Sequence, residues 1–308
     1  MFNKIFKNVR EKRVRVHSIT NYVTANDCAN VILAYGALPI MADDFNEVAE
    51  ITSACDSLVI NMGTLNERAI RGMIIAGKKA NELGHPVILD PVGIGASKFR
   101  REAGRKILAE VKIAVIKGNI SEIKVIDEIF KEHEACGDKD ALTIQDKRGP
   151  KCKSGKIETC ENFNRITMGI DALPGDLVNE KNINETVNFL GNISRRLKSV
   201  IVVTGEIDVI VFDNKGYLIR NGVGMMSKVT GTGCMATSII GGFCGGNKEN
   251  IMEATAAAIA TIGVCGELAY KKTREIDGGT GTFKVQLIDY ISKMDEATLV
   301  KYIKSEEI

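Results

Sequence analysis

A glycine-rich turn late in the chain is the clearest candidate for binding an anion. It reads Val-Thr-Gly-Thr-Gly-Cys-Met-Ala from Val229 to Ala236 and leads into a predicted helix. The first N–H groups of a helix have no acceptor within it, and with the positive end of the helix dipole they favour phosphate. The same field favours thiolate character in Cys234. Taken alone, a Gly-x-Gly pattern is as common in tight turns, and a cysteine is more often a small buried hydrophobe.

Three strand-like apolar runs also end in polar side chains. Asp90 ends one and precedes Pro-Val-Gly-Ile-Gly; Lys117 ends the next and precedes Gly-Asn-Ile-Ser and Glu122; Thr204 ends a third and precedes Gly-Glu. In open α/β sheets ligands bind beyond the carboxyl ends of the strands, so we expect these residues at one sheet edge. Alone, Asp90 is equally well a turn or cap residue, and Glu122 is ordinary helix surface. The convergence of an acid, a cation, a hydroxyl and an anion nest favours a functional site.

The elements that position these residues alternate along the first half of the chain. Apolar runs separated by amphipathic stretches predict βαβ units and a parallel sheet, and Asp-Asn-Lys-Gly marks a later hairpin turn. We predict strands at Ser57–Asn61, Pro86–Asp90, Lys112–Lys117 and Ser199–Thr204, a hairpin at Val209–Leu218, and helices near Asn66–Leu83, Lys98–Glu110, from Ile120, Asn184–Leu197, Cys234–Gly245, Glu249–Leu268 and Thr282–Met294.

The alternation breaks over residues 131–166, where charged residues and glycines replace large apolar side chains. We interpret this segment as an insertion or a mobile surface loop. His133, Cys136, Cys152 and Cys160 within it carry zinc-ligand chemistry. Their spacing is not that of a paired zinc knuckle, so a polar loop with scattered thiols is the preferred interpretation.

Composition indicates an ordinary globular protein. The chain has 308 residues, 44% hydrophobic and 26% charged, and we expect one α/β domain over residues 1–308. A net charge of +2 provides no general attraction to nucleic acid or to an anionic membrane. The basic start lacks the apolar core of a signal peptide and reads as a solvated face, and no apolar run reaches bilayer-spanning length. Eight scattered cysteines predict reduced thiols in the cytoplasm.

Several enzyme classes lack their sequence patterns here. There is no Walker A motif and no Gly-x-Ser-x-Gly elbow, and the three histidines follow no hydrolase or zinc pattern. A dinucleotide-binding fold needs Gly-x-Gly-x-x-Gly after its first strand, whereas the best Gly-x-Gly lies late in this chain. A P-loop nucleotidase and a dehydrogenase are therefore disfavoured.

Taken in order, the motifs resemble the hydroxyethylthiazole kinase family of the ribokinase-like superfamily. The resemblance covers most of the chain through Val16–Asn26, Gly36–Ala42, Asn61–Thr64, Asp90–Gly93, Lys117–Asn119 with Glu122, Val203–Asp208, Thr230–Cys234 and Gly279–Phe283. It implies a ribokinase-like α/β domain with a mostly parallel central sheet, helices on both faces and no separate lid. It also implies a homotrimer with active sites between subunits, acting in thiamine salvage.

The resemblance further implies ATP-dependent phosphorylation of hydroxyethylthiazole with Mg²⁺. The implied site residues are Met41, Asn21 and Gly231 for the alcohol; Lys117 and Thr204 for ATP; Gly231, Thr232 and Gly233 for the transferring phosphoryl group; and Asp90 and Glu122 for Mg²⁺, directly or through water. Cys234 would be the catalytic residue, where many ribokinase relatives carry an aspartate base. Lys117 departs from the family's usual arginine, and lysine is a point charge where arginine is a planar fork.

Two other functions remain open at this stage. A ribokinase-like kinase could act on another hydroxymethyl heterocycle, such as the pyrimidine of the same pathway. Alternatively, a homologue could bind ligand without catalysis, although the joint presence of Asp90, Glu122 and Cys234 argues against that.

Overall fold

One mixed sheet organises the computed structural model, which describes residues 3–135 and 177–308. Within those residues the strands are β1 (Arg15–Ile19), β2 (Leu38–Met41), β3 (Ser57–Asn61), β4 (Val87–Asp90), β5 (Val115–Gly118), β6 (Val200–Val203), β7 (Asp208–Phe212), β8 (Lys215–Ile219) and β9 (Ser305–Glu307). They lie in the order β2-β1-β3-β4-β5-β6-β7-β8-β9. The strands from β2 to β6 are parallel, and β7, β8 and β9 continue antiparallel. The parallel strands therefore share one carboxyl edge.

Helices cover both faces of the sheet. They are α1 (Asn3–Glu11), α2 (Ala25–Ala34), α3 (Val48–Ser53), α4 (Glu67–Glu82), α5 (Lys98–Glu110), α6 (Ile120–Ala135), α7 (Ile183–Leu197), α8 (Thr232–Gly246), α9 (Ile251–Glu275), α10 (Thr280–Lys293) and α11 (Glu296–Tyr302). Helices α1, α2 and α8 to α11 pack on one face, and α3 to α7 pack on the other. Each central strand is thus buried on both sides.

Burial on both sides explains why the central strands read as unbroken apolar runs. In β3, Leu58 and Ile60 contribute to one core, whereas Val59 between them contributes to the opposite core. Successive strand side chains point to opposite faces, so both sets must be apolar. Local signals then start the helices: Asn66 accepts a hydrogen bond from the Ala69 N–H at the start of α4.

Small residues allow α8 and α9 to approach the sheet and each other. A Cβ at Gly241 of α8 would lie 2.4 Å from Cγ2 of Val59, so only glycine fits there. In the part of the chain that the structure describes, α9 is the one helix long and apolar enough to cross a bilayer, but 72% of that window is buried inside the fold. This is the pattern of a core helix.

The predicted elements are confirmed, with shifted ends. β5 begins at Val115 and not at Lys112, and α9 continues beyond Leu268 to Glu275. The basic start forms α1, a helix that was not predicted because its charged residues stand out in the sequence. Lys4, Lys7 and Arg10 are exposed as expected, while Ile5, Phe6 and Val9 pack in the core. An amphipathic helix has both kinds of face.

The predicted insertion lies mostly outside the described residues. Residues 131–135, its first part, continue helix α6, whereas residues 136–166 are not described. Cys136, Cys152 and Cys160 therefore lie outside the described residues. Among those that are described, no group of three or more His, Cys, Asp and Glu residues could hold a metal ion by itself.

Candidate active site

The predicted site residues meet where the parallel strands end. Asp90 is the last residue of β4, Lys117 lies at the end of neighbouring β5, and Thr204 directly follows β6. The amino end of α8, with Cys234 in its first turn, lies over the same edge, because the Lys117 Nζ donates to the Gly233 carbonyl at 3.3 Å. The parallel topology thus assembles residues that are far apart in the chain.

Asp90 is the buried centre of this group. Its side chain is 1% exposed, and its Oδ2 accepts hydrogen bonds from Thr237 Oγ1 at 2.7 Å and Asn61 Nδ2 at 2.9 Å. The Lys117 Nζ lies 3.7 Å from the same oxygen. Burial raises the pKa of Asp90, while the Lys117 charge and both hydrogen bonds oppose that rise.

Lys117 is buried but remains a cation. Burial alone would lower the pKa of its ammonium group, yet the nearby Asp90 carboxylate, with smaller contributions from Cys234 and Glu122, outweighs burial and raises it. Its Nζ would lie 3.2 Å from a Cβ at Gly233, so the charge faces the first turn of α8. A cation is therefore fixed beside the helix end that attracts anions.

Glu122 supplies a second carboxylate to the same edge. Its Oε1 accepts from the Gly93 N–H at 2.8 Å and its Oε2 from the Asn119 N–H at 2.9 Å, while the Glu122 N–H donates to Asn119 Oδ1. This reciprocal capping box holds the side chain at the start of α6. Burial, and then the charge of Asp90, raise the pKa of Glu122 to about 7, against those backbone hydrogen bonds.

The two carboxylates fit a magnesium ion. Mg²⁺ prefers hard oxygen ligands, keeps several waters, and is usually bound through one or two carboxylates together with substrate phosphates. Asp90 and Glu122 are buried and repel each other electrostatically. A divalent cation bound to both would relieve that repulsion, so Asp90 and Glu122 stay the predicted ligands of Mg²⁺.

Cys234 is half-buried and tied to two asparagine side chains. Its sulfur lies 3.3 Å from Asn21 Nδ2 and 3.3 Å from Asn61 Nδ2. Asn21 follows β1 and Asn61 ends β3, so the thiol joins the ends of two adjacent strands to α8. The predicted catalytic thiol therefore lies inside the cluster.

The turn before α8 leaves its backbone N–H groups available. The helix begins at Thr232, and the first backbone bond along it runs from the Met235 N–H to the Gly231 carbonyl at 2.8 Å. The Thr232 hydroxyl donates back to the Met226 carbonyl at 3.1 Å. Gly231 has φ +91°, a conformation that favours glycine. These features build the predicted anion cradle from backbone atoms.

Met41 lies further out on the same edge. It ends β2, the outermost parallel strand, and it is 38% exposed, whereas Asn21 is buried. Beside Asn21, Tyr22 and Val23 are 68% and 65% exposed. We call the exposed side chains of Met41, Tyr22 and Val23 the exposed border of the polar cluster.

Two residues in the cluster were not singled out from the sequence. Asn61 bridges Asp90 and Cys234, and its signal is a polar residue at the end of an all-buried strand. Asp208 accepts from the Gly205 N–H at 2.9 Å, whereas Glu206, the acid expected after Thr204, is exposed. Asp208 is partly exposed, and partial burial raises its pKa to about 7, opposed by the Gly205 hydrogen bond and the Lys117 charge.

The arrangement has the components needed for transfer of a charged group. A thiol, two carboxylates, a buried cation and the amino end of α8 lie at one edge of the sheet. Positioned donors and cations that stabilise developing charge are the main requirement for phosphoryl transfer.

Known proteins are similar to this chain over nearly its whole length. The model of the hydroxyethylthiazole kinase family matches residues 6–142 and 153–297. A hydroxyethylthiazole kinase of Clostridium acetobutylicum is 44% identical over 295 residues, which cover 96% of this chain and 95% of that protein. The structure of the hydroxyethylthiazole kinase from Pyrococcus horikoshii is 31% identical with a TM-score of 0.77, covering 99% of this chain and 98% of its own. A ribokinase-like protein of Enterococcus faecalis, 13% identical with a TM-score of 0.54 over 92% of this chain and 88% of its own, shares the fold alone, which confirms the predicted ribokinase-like architecture.

Proposed function

Because the chain belongs to the hydroxyethylthiazole kinase family, we propose that it transfers the γ-phosphoryl group of ATP to the primary hydroxyl of hydroxyethyl-methylthiazole. The product is the thiazole phosphate, which serves thiamine biosynthesis through salvage. The observation that carries this proposal is the meeting of Asp90, Lys117 and Cys234 at the amino end of α8. No strong base is required there, because phosphoryl transfer depends mainly on positioning and on neutralising charge.

The transferring group is held at the glycine-rich turn. Backbone N–H groups of Gly231, Thr232 and Gly233 surround an anion at the start of α8, and the helix dipole adds to their effect. Lys117, whose ammonium group faces Gly233, adds a full positive charge. The negative charge that spreads over the phosphoryl oxygens is thereby stabilised.

The alcohol lies between the thiol and the exposed border. Met41, Asn21 and Gly231 line its subsite, with the Met41 thioether against the thiazole ring. Cys234 takes the hydroxyl proton as the alcohol oxygen attacks phosphorus and the bond from the β–γ bridging oxygen to phosphorus breaks. General base catalysis of this kind assists the reaction, while the phosphoryl cradle provides most of the acceleration.

Asp90 and Glu122 hold Mg²⁺, directly or through water. When bound, the ion neutralises charge on the ATP phosphates and on the transferring group. Lys117 and Thr204 contact ATP from the ends of β5 and β6. Lys117 binds phosphate as a point charge and lacks the bidentate fork of the family's usual arginine, so nucleotide affinity depends more on the surrounding backbone.

The assembly completes the site. We propose a homotrimer in the cytoplasm, with each active site between two subunits and the exposed side chains of Tyr22 and Val23 facing the neighbour. Sedimentation equilibrium tests this directly: the mass should be about three times that of the 33.5 kDa chain, and a mass equal to one chain would contradict it.

A comparison of alcohols tests the substrate. Initial rates with ATP and Mg²⁺ should give a kcat/KM for hydroxyethylthiazole well above that for the hydroxymethylpyrimidine, and no turnover without an alcohol. A higher kcat/KM for the pyrimidine would assign the other heterocycle. Binding of the thiazole, measured by calorimetry, without any phosphorylation would contradict the kinase function.

A further inference from the structure

The sulfur of Cys234 lies at the meeting point of two amide groups. Asn21 and Asn61 each place Nδ2 at 3.3 Å from it, one from the segment after β1 and the other from the end of β3. Sulfur is a weak acceptor, so nothing in ordinary packing requires two amide donors on one thiol. The convergence comes from the way the two strand ends are held.

Backbone groups determine which way each amide points. The Thr24 N–H donates to Asn21 Oδ1 at 3.1 Å, and the Gly63 N–H donates to Asn61 Oδ1 at 2.9 Å. A backbone N–H can only donate, so each of these side-chain atoms must be the amide oxygen. The NH₂ group of each side chain is then turned toward the sulfur without an alternative flip.

Every hydrogen of the two amides has a partner. Asn21 donates to Asn61 Oδ1 at 2.9 Å and to Cys234, and Asn61 donates to Asp90 Oδ2 at 2.9 Å and to Cys234. Neither amide keeps a hydrogen for the alcohol, so Asn21 lines the alcohol subsite by contact and not as a hydrogen-bond donor. Their polar atoms therefore serve protein groups, and the group they share is the sulfur.

We infer that Asn21 and Asn61 are positioning residues that hold the Cys234 sulfur as a hydrogen-bond acceptor and so favour the thiolate that takes the alcohol proton. Hydrogen bonds to an ionised acceptor are about twice as strong as those to a neutral one, so two donors favour the thiolate over the thiol. In the reaction the alcohol O–H bond breaks, an S–H bond forms, and the alcohol oxygen bonds to phosphorus as ADP leaves. This inference rests on the proposed function for its catalytic consequence, but its effect on the thiol does not.

Alkylation of Cys234 by iodoacetamide measures that effect without turnover. The thiolate is the reactive form, so Asn21→Ala and Asn61→Ala should each slow Cys234 alkylation at pH 7 by about fivefold, as expected for the loss of one hydrogen bond. Peptide mass spectrometry separates Cys234 from the other cysteines. Asn221→Ala is the matched control, because Asn221 is also a buried asparagine, donates its Nδ2 hydrogens to Glu267 and to the Tyr302 carbonyl, and lies away from the thiol. In this variant Cys234 should be alkylated at the same rate as in the wild type.

The direction of the change in alkylation rate separates the loss of a hydrogen bond from easier access to the sulfur. Removal of a side chain also opens access to the sulfur, which would speed alkylation, so a rate that is unchanged or higher in both variants overturns the inference. Asn21→Ala leaves the contacts of Asp90 intact and keeps the test available if Asn61→Ala does not fold.

A double-mutant cycle tests the catalytic consequence. Asn21→Ala should lower kcat in an otherwise wild-type chain. It should cause no further loss of kcat in a chain that already carries Cys234→Ala, because its effect passes through the sulfur. Additive losses would overturn that route. A wild-type protein that phosphorylates no alcohol, yet shows the predicted alkylation rates, would contradict the proposed function while supporting the role of the two amides.

Discussion

At the scale of single residues, the site depends on a buried carboxylate that has three polar partners. Asp90 accepts two hydrogen bonds and faces the Lys117 ammonium group in a region closed to solvent. A buried charge is tolerated only with such partners. All three partners contact Oδ2, so Oδ1 is the oxygen that we propose for the metal ion.

Replacement of Asp90 by asparagine should therefore be the most damaging single change. Asp90→Asn keeps the shape but removes the anionic partner of both Mg²⁺ and Lys117, and kcat should fall by at least about 10³-fold with a raised Mg²⁺ requirement. Rates measured across a Mg²⁺ series check this. Asp56→Asn is the matched control, because Asp56 lies before β3 at the opposite sheet edge and pairs with Arg15, and it should retain full activity. An unchanged Mg²⁺ dependence in Asp90→Asn would contradict the metal role.

Loss of the thiol should be milder. Cys234→Ala should lower kcat by about 10²-fold, at the lower end for a general base, because most of the acceleration comes from positioning. Affinity for ATP, measured by calorimetry, should not change. Cys55→Ala, which removes a buried thiol before β3, should keep wild-type turnover. If Cys234→Ala turns over as fast as the wild type, the thiol does not act as the base.

Individual residues could be predicted where they follow a strong local pattern. Asp90, Lys117 and Thr204 stand at the ends of apolar runs, and a parallel sheet brings such ends together. The orientation of Asn61 could not be predicted, because it depends on the Gly63 N–H and on partners far along the chain. Nor could the sequence decide which acid after Thr204 turns inward, because that depends on the conformation of the turn between β6 and β7.

At the scale of elements, the amino end of α8 depends on one backbone conformation. Gly231 has φ +91°, and a Cβ there would lie 2.7 Å from Cγ2 of Thr24. A side chain would therefore be strained and would also press the turn away from α2. Both the cradle and the position of Cys234 follow from this one residue.

Alanine at Gly231 should damage stability and turnover together. The left-handed conformation costs a non-glycine residue about 1–3 kcal/mol, and the clash with Thr24 adds to that cost. Gly84→Ala is a matched control, since Gly84 has φ +66° but no atom near the position of its Cβ. Urea unfolding should show a smaller loss for Gly84→Ala, with normal kcat. Equal losses of stability in the two variants, with turnover retained in both, would contradict the importance of this turn.

Whole elements were predictable where length and period were clear. The four predicted strands, the two strands of the hairpin and the helices α4, α5, α7 and α8 appear close to their expected ranges. The elements that were missed are α1, α2, α3, α11, β1, β2 and β9. An edge strand such as β2 has only one strand partner, and its residues are half-buried or exposed, so its sequence carries little alternation. Residues 143–152, which the family model leaves unmatched, fall within the predicted insertion at 131–166.

At the scale of the whole molecule, a buried histidine is one cause of the loss of stability in acid. His17 of β1 lies within hydrogen-bond distance of Thr52 in α3 and of the Ala42 carbonyl, at 2.9 Å each. Burial lowers its pKa to about 4, against the hydrogen bond to the Ala42 carbonyl that raises it. The native state thus holds a neutral imidazole, whereas the unfolded chain binds a proton below about pH 6.5.

The free energy of unfolding should therefore decrease as the pH falls from 6.5 toward 4. The contribution of His17 to stability is complete above pH 6.5, and roughly 3 kcal/mol of it is lost once the pH has fallen below the native pKa. His17→Gln removes the titration, so the difference between wild type and variant should shrink across this interval. Urea titrations at pH 7.5, 5.5 and 4.5 measure it. Glu122 and Asp208 have raised pKa values, which favour the folded state in acid, but both residues are present in wild type and variant, so their contributions cancel in the difference. A difference in the free energy of unfolding that stays constant with pH would contradict the assignment of this effect to His17.

The central claim, that this chain moves the γ-phosphoryl group of ATP to the thiazole alcohol, is tested most directly by isotope transfer. With ATP carrying ¹⁸O in the three terminal γ-oxygens, mass spectrometry should find a thiazole phosphate with all three labelled oxygens and an unlabelled bridging oxygen from the alcohol. Labelled inorganic phosphate with no labelled thiazole phosphate would contradict the claim.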